Sequence, residues 1–228
     1  MDGSDTAGSV VTVTISASET IVQPTCTFES GSAAVADSVI EYGGSADTWT
    51  CSYTVDGSDT AGSVTFSATY ADSAGNAGAS ALTTVSDSSA VTIDLMAPTA
   101  TATIASDGGS TAHASSGSVV TVTISASETI VQPTCTFESG SAAVADSVIE
   151  YGGSGSTWNC SYTVDGSDTA GSVTFSATYA DSAGNAGASA LTTVSDSSAV
   201  TIDLTAPTAT ATIASDGDST ADASSGRW

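Results

Sequence analysis

A chain of 228 residues has room for one large domain or two of ordinary size, and its 40% hydrophobic and 6% aromatic content can supply cores for two small ones. The charge is lopsided, with one Lys or Arg (Arg227) against 25 Asp and Glu and a net charge of −24. Such a surface repels phosphate backbones and anionic headgroups, which argues against nucleic acid or a lipid surface as a partner. It attracts cations, and either bulk salt or bound Ca²⁺ would relieve the repulsion.

Taken in chain order, the N-terminal stretch from Met1 to Asp5 has neither a basic segment nor an apolar one, so an export signal is expected outside this chain. No run approaches the roughly 20 apolar residues of a membrane span, and membrane insertion is not expected. From Ser9 onward the sequence repeats: Ser9 through Ile15 recurs as Ser118 through Ile124, and the offset of 109 residues holds without a gap to Gly226. The six differences are Ala46/Gly155, Asp47/Ser156, Thr50/Asn159, Met96/Thr205, Gly109/Asp218 and His113/Asp222. A period of this length fits a self-contained domain better than a solenoid unit. The expected division is residues 1–96 as a first unit without its first strand, 97–205 as a complete second unit, and 206–228 as the start of a truncated third. That register reads as a piece of a longer array.

Within each unit, strand signals are dense. Val11, Val13, Ile15 and Ala17 alternate with Thr12, Thr14 and Ser16, the two-residue period of a half-buried strand. The same alternation runs through Cys26 and Phe28; Trp49, Cys51, Tyr53 and Val55; Val64, Phe66, Ala68 and Tyr70; Val91 and Ile93; and Ala100, Ala102 and Ile104. Turn residues separate these runs at Asp56-Gly57, Asp72 to Asn76, and Asp107-Gly108. About seven short strands per unit predict an all-β protein of two tandem two-sheet sandwiches. Residues 31–46 carry the weakest signal.

The runs 11–19, 70–76 and 91–99 (Val-Thr-Val-Thr-Ile-Ser-Ala-Ser-Glu, Tyr-Ala-Asp-Ser-Ala-Gly-Asn and Val-Thr-Ile-Asp-Leu-Met-Ala-Pro-Thr) together resemble the bacterial-type Ig-like repeats of large surface adhesins and secreted modular proteins. The resemblance covers nearly the whole chain. It implies Ig-like Greek-key β-sandwiches in an extracellular array, often stiffened by calcium at the junctions. The two cysteines in each unit depart from many such repeats.

Cys26 with Cys51, and Cys135 with Cys160, sit on the inward faces of their strands. Each pair reads as an intradomain disulfide or as two buried thiols. A disulfide points to an oxidising compartment, and so to a secreted or cell-surface location. Closing a loop of 24 intervening residues would contribute about 3–4 kcal/mol through chain entropy. Two thiols and no histidine per pair disfavour a zinc site. Trp49 and Trp158 read as core plugs rather than ligand platforms, and His113, replaced by Asp222, reads as an incidental surface residue. Asn159-Cys160-Ser161 matches a glycosylation acceptor that the first unit lacks.

An enzyme is not expected. The chain has one histidine and no lysine to activate a nucleophile, and its carboxylates fall mostly in solvated turns. The usual Ig strand order would gather Asp94 from the linker, Asp56 or Asp59 from the first unit, and Glu128, Asp181 and Asn185 from the second. These are either oxygen donors for Ca²⁺ at the junction or ordinary turn residues. The leading reading is a structural spacer that contacts neighbouring repeats of the same protein. The alternative is a binding module that recognises glycan or protein through a sandwich face or loop. Weak head-to-tail self-association is also expected, with Thr208 to Ile213 of one chain donating a strand to the first unit of another.

Overall fold

The computed structural model describes residues 3–36, 39–145 and 148–214, and its regular structure is almost entirely β. In the first repeat, β1 (Gly3–Asp5) and β2 (Val10–Ser16) are followed by β3 (Thr25–Ser30), β4 (Ala33–Ala34), β5 (Glu41–Ser45), β6 (Thr48–Thr54), β7 (Gly62–Thr69) and β8 (Val91–Ile93). They form a five-stranded sheet in the order β1-β8-β7-β3-β4 and a three-stranded sheet in the order β2-β6-β5.

The second repeat has one strand more. β9 (Ala100–Ser106), β10 (His113–Ala114), β11 (Val119–Ala126), β12 (Thr134–Ser139), β13 (Ala142–Ala143), β14 (Glu150–Ser154), β15 (Thr157–Thr163), β16 (Gly171–Thr178) and β17 (Thr201–Ile202) build sheets ordered β10-β17-β16-β12-β13 and β14-β15-β11-β9. In Ig lettering these are A′-G-F-C-C′ and D-E-B-A, two sheets connected as a Greek key. β10 pairs with β17 in parallel and the neighbouring ladders are antiparallel.

The weakly signalled region 31–46 begins as a tight hairpin. Ser30 pairs with Ala33, and the two turn residues Gly31 and Ser32 both have positive φ, 53° and 72°, as a type I′ turn requires. A Cβ on Gly31 would lie 2.2 Å from the Ala61 carbonyl oxygen, so backbone proximity as well as φ demands glycine.

Alternation places one face of every long strand inside. Val120, Val122 and Ile124 pack with Phe137, Tyr162, Val200 and Ile202 in the second core; Val11, Ile15, Phe28, Tyr53 and Ile93 fill the first. Phe28 and Tyr53 meet with ring centroids 5.0 Å apart, as do Phe137 and Tyr162. Cys26 is bonded to Cys51 and Cys135 to Cys160. Each disulfide joins β3 to β6, or β12 to β15, and so ties the two sheets together. In lettered terms it links C to E, whereas the bridge of antibody domains links B to F. Trp49 and Trp158 are half-buried at the core margin. The Trp158 indole N–H donates to the carbonyls of Ile130 and Gly155.

Residues 206–214, the expected first strand of a third unit, form no strand and are exposed. A lone strand gains nothing without a partner ladder, and no following strand is present among the described residues. Residues 215–228 of that unit lie outside the described residues.

Candidate junction site

Where the first sandwich meets the second, the chain leaves β8 through Asp94 and enters β9 by way of Pro98. The Asp94 amide donates to the Asp5 carbonyl, and Asp94 Oδ1 accepts the Met96 amide in an Asx turn. From the second sandwich, Glu128 arrives on the turn after β11, and Asp181 and Asn185 on the turn after β16.

Asp181 is buried, 3% exposed, where its turn meets the linker and the start of the first sandwich. Its Oδ1 accepts the amides of Gly184 and Asn185, both at 2.8 Å, and its Oδ2 accepts Asn185 Nδ2 at 2.8 Å. The same Nδ2 donates to the Asp94 carbonyl at 2.9 Å, and Asn185 Oδ1 accepts the Thr6 hydroxyl. Asn185 therefore clamps the linker and the start of the first sandwich onto the second.

One carboxylate oxygen each from Asp94, Glu128 and Asp181 lie within 4.8 Å of one another. Partial burial, followed by the negative charges of Asp94 and Asp181, pushes the Glu128 carboxyl above its ordinary range. No Lys or Arg stands among the described residues, because the one basic side chain is Arg227. As a donor set, three carboxylates with no sulfur or imidazole suit a hard cation, with water left to complete the six to eight oxygens that Ca²⁺ takes.

The structure thus brings together four of the six residues singled out by sequence, Asp94, Glu128, Asp181 and Asn185. Asp56 and Asp59 are not in the cluster. They close the β6–β7 turn locally: the Asp56 amide donates to Asp59 Oδ2, and Asp56 Oδ1 accepts both the amide and the hydroxyl of Ser58. The Ser58 hydroxyl and amide hold the Asp56 carboxyl below its usual range. Thr6 was not anticipated. Its stretch is one in which the two repeats differ in sequence, so no repeat comparison singles it out.

Asn159 sits mid-strand in β15, paired across to Thr123 and Gly152, with Oδ1 buried and unpartnered. The acceptor motif therefore lies in a paired strand rather than a loop. His113 is exposed at the sheet edge on β10. Among the described residues, no helix is long and apolar enough to cross a membrane.

Strand order and cores define the class: two tandem Ig-like β-sandwiches. No protein-family model matches the chain, and no curated protein matches it. Among solved structures, it is similar to the I-band fragment I67-I69 from titin at 11% identity and a TM-score of 0.41, over 89% of this chain and 62% of that one. It is also similar to the I9-I11 tandem from titin at 10% identity and 0.39, over 90% and 63%. A third is a chimeric titin Z1Z2 carrying an exogenous peptide from decorin, at 13% identity and 0.38, over 90% and 93%. The chain thus spans less than two thirds of the length of the first and second of these. At such scores the likeness carries no weight, and the fold assignment rests on the strand pairing above.

Proposed function

We propose that this chain is a spacer segment of a secreted or cell-surface array, in which Ca²⁺ at the junction stiffens one sandwich against the next. The carrying observation is the convergence of Asp94, Glu128 and Asp181, one from the linker and two from the following sandwich, with Asn185 bridging both. Without a cation the three carboxylates repel, and the hydrogen bonds of Asn185 to Asp94 and Thr6 hold the junction against that repulsion. With one, the linker and the second sandwich share a ligand set and move together. The disulfides support an oxidising compartment. The near-identity of the repeats supports a role that adds along the chain.

The test is a calcium titration of the whole chain, read by melting temperature and by particle length in small-angle scattering. Millimolar Ca²⁺ is expected to raise the first and extend the second, and Glu128→Gln is expected to blunt both responses. At a hundredfold excess over Kd, binding adds about 2.7 kcal/mol, which is several degrees for domains of this size. A flat response of the unmodified chain in both measurements overturns the reading.

A further inference from the structure

The disulfides divide each sandwich into a part that chain tension reaches and a part that it does not. Tension along the second repeat enters through β9 and β10 and leaves through β17. β10 and β17 lie side by side in parallel, with His113 opposite Thr201 and Ala114 opposite Ile202, so pulling the ends apart slides one strand along the other. All of this lies outside the covalent loop that Cys135 and Cys160 close. Inside the loop are the rest of β12, the strands β13 and β14, and the first half of β15. The first repeat is divided in the same way, with β1 parallel to β8 and the loop closed by Cys26 and Cys51.

One tyrosine screens each bond at the edge of the sandwich. Tyr151 stands on the edge strand β14, opposite Cys160 of β15, and directly opposed residues of an antiparallel pair share a face. Its ring therefore points the same way as the Cys160 side chain. Its hydroxyl reaches the facing sheet, where it accepts the Cys135 amide at 3.3 Å. One side chain thus spans from β14 to β12, on the solvent side of the disulfide that spans from β15 to β12. Tyr42 does the same in the first repeat, opposite Cys51 and accepting the Cys26 amide at 3.2 Å. The tyrosines meet solvent, 36% and 37% exposed, while Cys51 and Cys160 are 0% exposed and Cys26 and Cys135 only 2% and 3%.

We propose that each disulfide is a stop on extension, which a small thiol releases only after tension has opened the sandwich, and that Tyr42 and Tyr151 keep the thiol from the folded bond. Reduction begins when a thiolate attacks one cystine sulfur and expels the other as a thiolate. The second thiol of a dithiol then displaces the mixed disulfide, leaving two protein thiols and a cyclic oxidised reductant. In the folded sandwich the sulfurs offer no path of approach. Once the sandwich opens, the chain pays out as far as the two cysteines and halts, because the bond holds the residues between them. In an oxidising compartment the halt persists. Where thiols are present the loop is released, and a separation of 25 residues adds about 8 nm per repeat at ~3.4 Å per residue. The tension rests on the spacer reading, and the stop itself does not depend on calcium.

The test stretches single full chains, tethered by both termini, in millimolar Ca²⁺ and again with a chelator. Without reductant, each unfolding step should come about 8 nm short of the extended length of its sandwich's residues. With dithiothreitol and the tension held, each opened sandwich should lengthen by a further step of about 8 nm, and chains still folded should show none. In solution without tension, trapping of freed thiols should run roughly a hundredfold slower in the folded chain than in the denatured chain, since reduction then waits on rare opening. Tyr42→Ala with Tyr151→Ala should raise the folded-state rate roughly tenfold by shortening that wait, and Tyr42→Phe with Tyr151→Phe, which keeps the rings, should raise it less. Full-length steps without reductant, lengthening of chains that have not opened, or equal reduction of folded and denatured chains overturns the stop. An unchanged folded-state rate in the alanine pair overturns the screening by tyrosine. Because step lengths are read in both buffers, failure of the calcium junction leaves this result distinguishable.

Discussion

The two sandwiches share a sequence but not an environment, and comparing them isolates what neighbours contribute. In the second, Val122 and Val200 are fully buried and Phe175 is nearly so; their counterparts Val13, Val91 and Phe66 are only half-buried. Nothing in these residues differs. What differs is the strand β9, which covers them in one repeat and has no equivalent among the described residues of the other. The entry-pole turns diverge in the same way. Asp181 is buried against the linker, whereas Asp72, which holds the amide and side chain of Asn76 as Asp181 holds those of Asn185, is only half-buried. The side chain of Asn76 and then its backbone amide hold the Asp72 carboxyl low. Burial is therefore a property of the assembled edge and not of the residue.

Five substitutions would break or sharpen this comparison. Phe175→Ala should destabilise the second sandwich by about 3–5 kcal/mol, the usual range for emptying a buried aromatic site. Phe66→Ala should cost the first sandwich roughly half as much or less, since its ring already meets solvent. Denaturant unfolding followed separately for each sandwich by hydrogen exchange measures both, and equal losses would deny that the missing strand matters.

A smaller effect distinguishes the β5–β6 turn. Ala46 has φ 59° where the second repeat places Gly155 at φ 65°. Relieving the Cβ clash with Ala46→Gly should stabilise the first sandwich by about 1 kcal/mol, visible as a raised unfolding midpoint.

The smallest effect at neutral pH is expected from Tyr53→Phe with Tyr162→Phe. Both hydroxyls are buried without a hydrogen-bond partner; the Ser30 hydroxyl near Tyr53 donates instead to the Thr60 carbonyl. Removing an unpaired polar group costs little. At alkaline pH the pair behaves differently. Burial, then the charges of Asp59 and Asp5, pushes Tyr53 up to about 12, and burial, then Asp168, pushes Tyr162 up to about 12. A raised phenol favours the fold only while it is neutral. That stability is complete below the unfolded value near 10 and drains away as pH climbs from there through 12. The double variant should keep its melting temperature further into this window than the unmodified chain, and parallel pH curves would refute the assignment.

Alternation alone set the long strands, their inward faces and the cysteine pairs on them, and left open whether each pair is bonded. A two-residue alternation such as Val11-Thr12-Val13-Thr14-Ile15 fixes which side chains turn inward before any partner strand is known. Cys26 and Cys51 lie on inward faces, so sheet packing brings them together. The short hairpin at 31–34 was illegible because its signal is backbone conformation at Gly31 and Ser32 and not hydrophobic period.

Tertiary structure alone decided which carboxylates converge. Asp56 and Asp94 look alike in sequence, each an Asx turn after a strand, but only Asp94 lies where the chain crosses into the next sandwich. Convergence depends on which segments of chain meet in space, and identical local sequences carry no record of that.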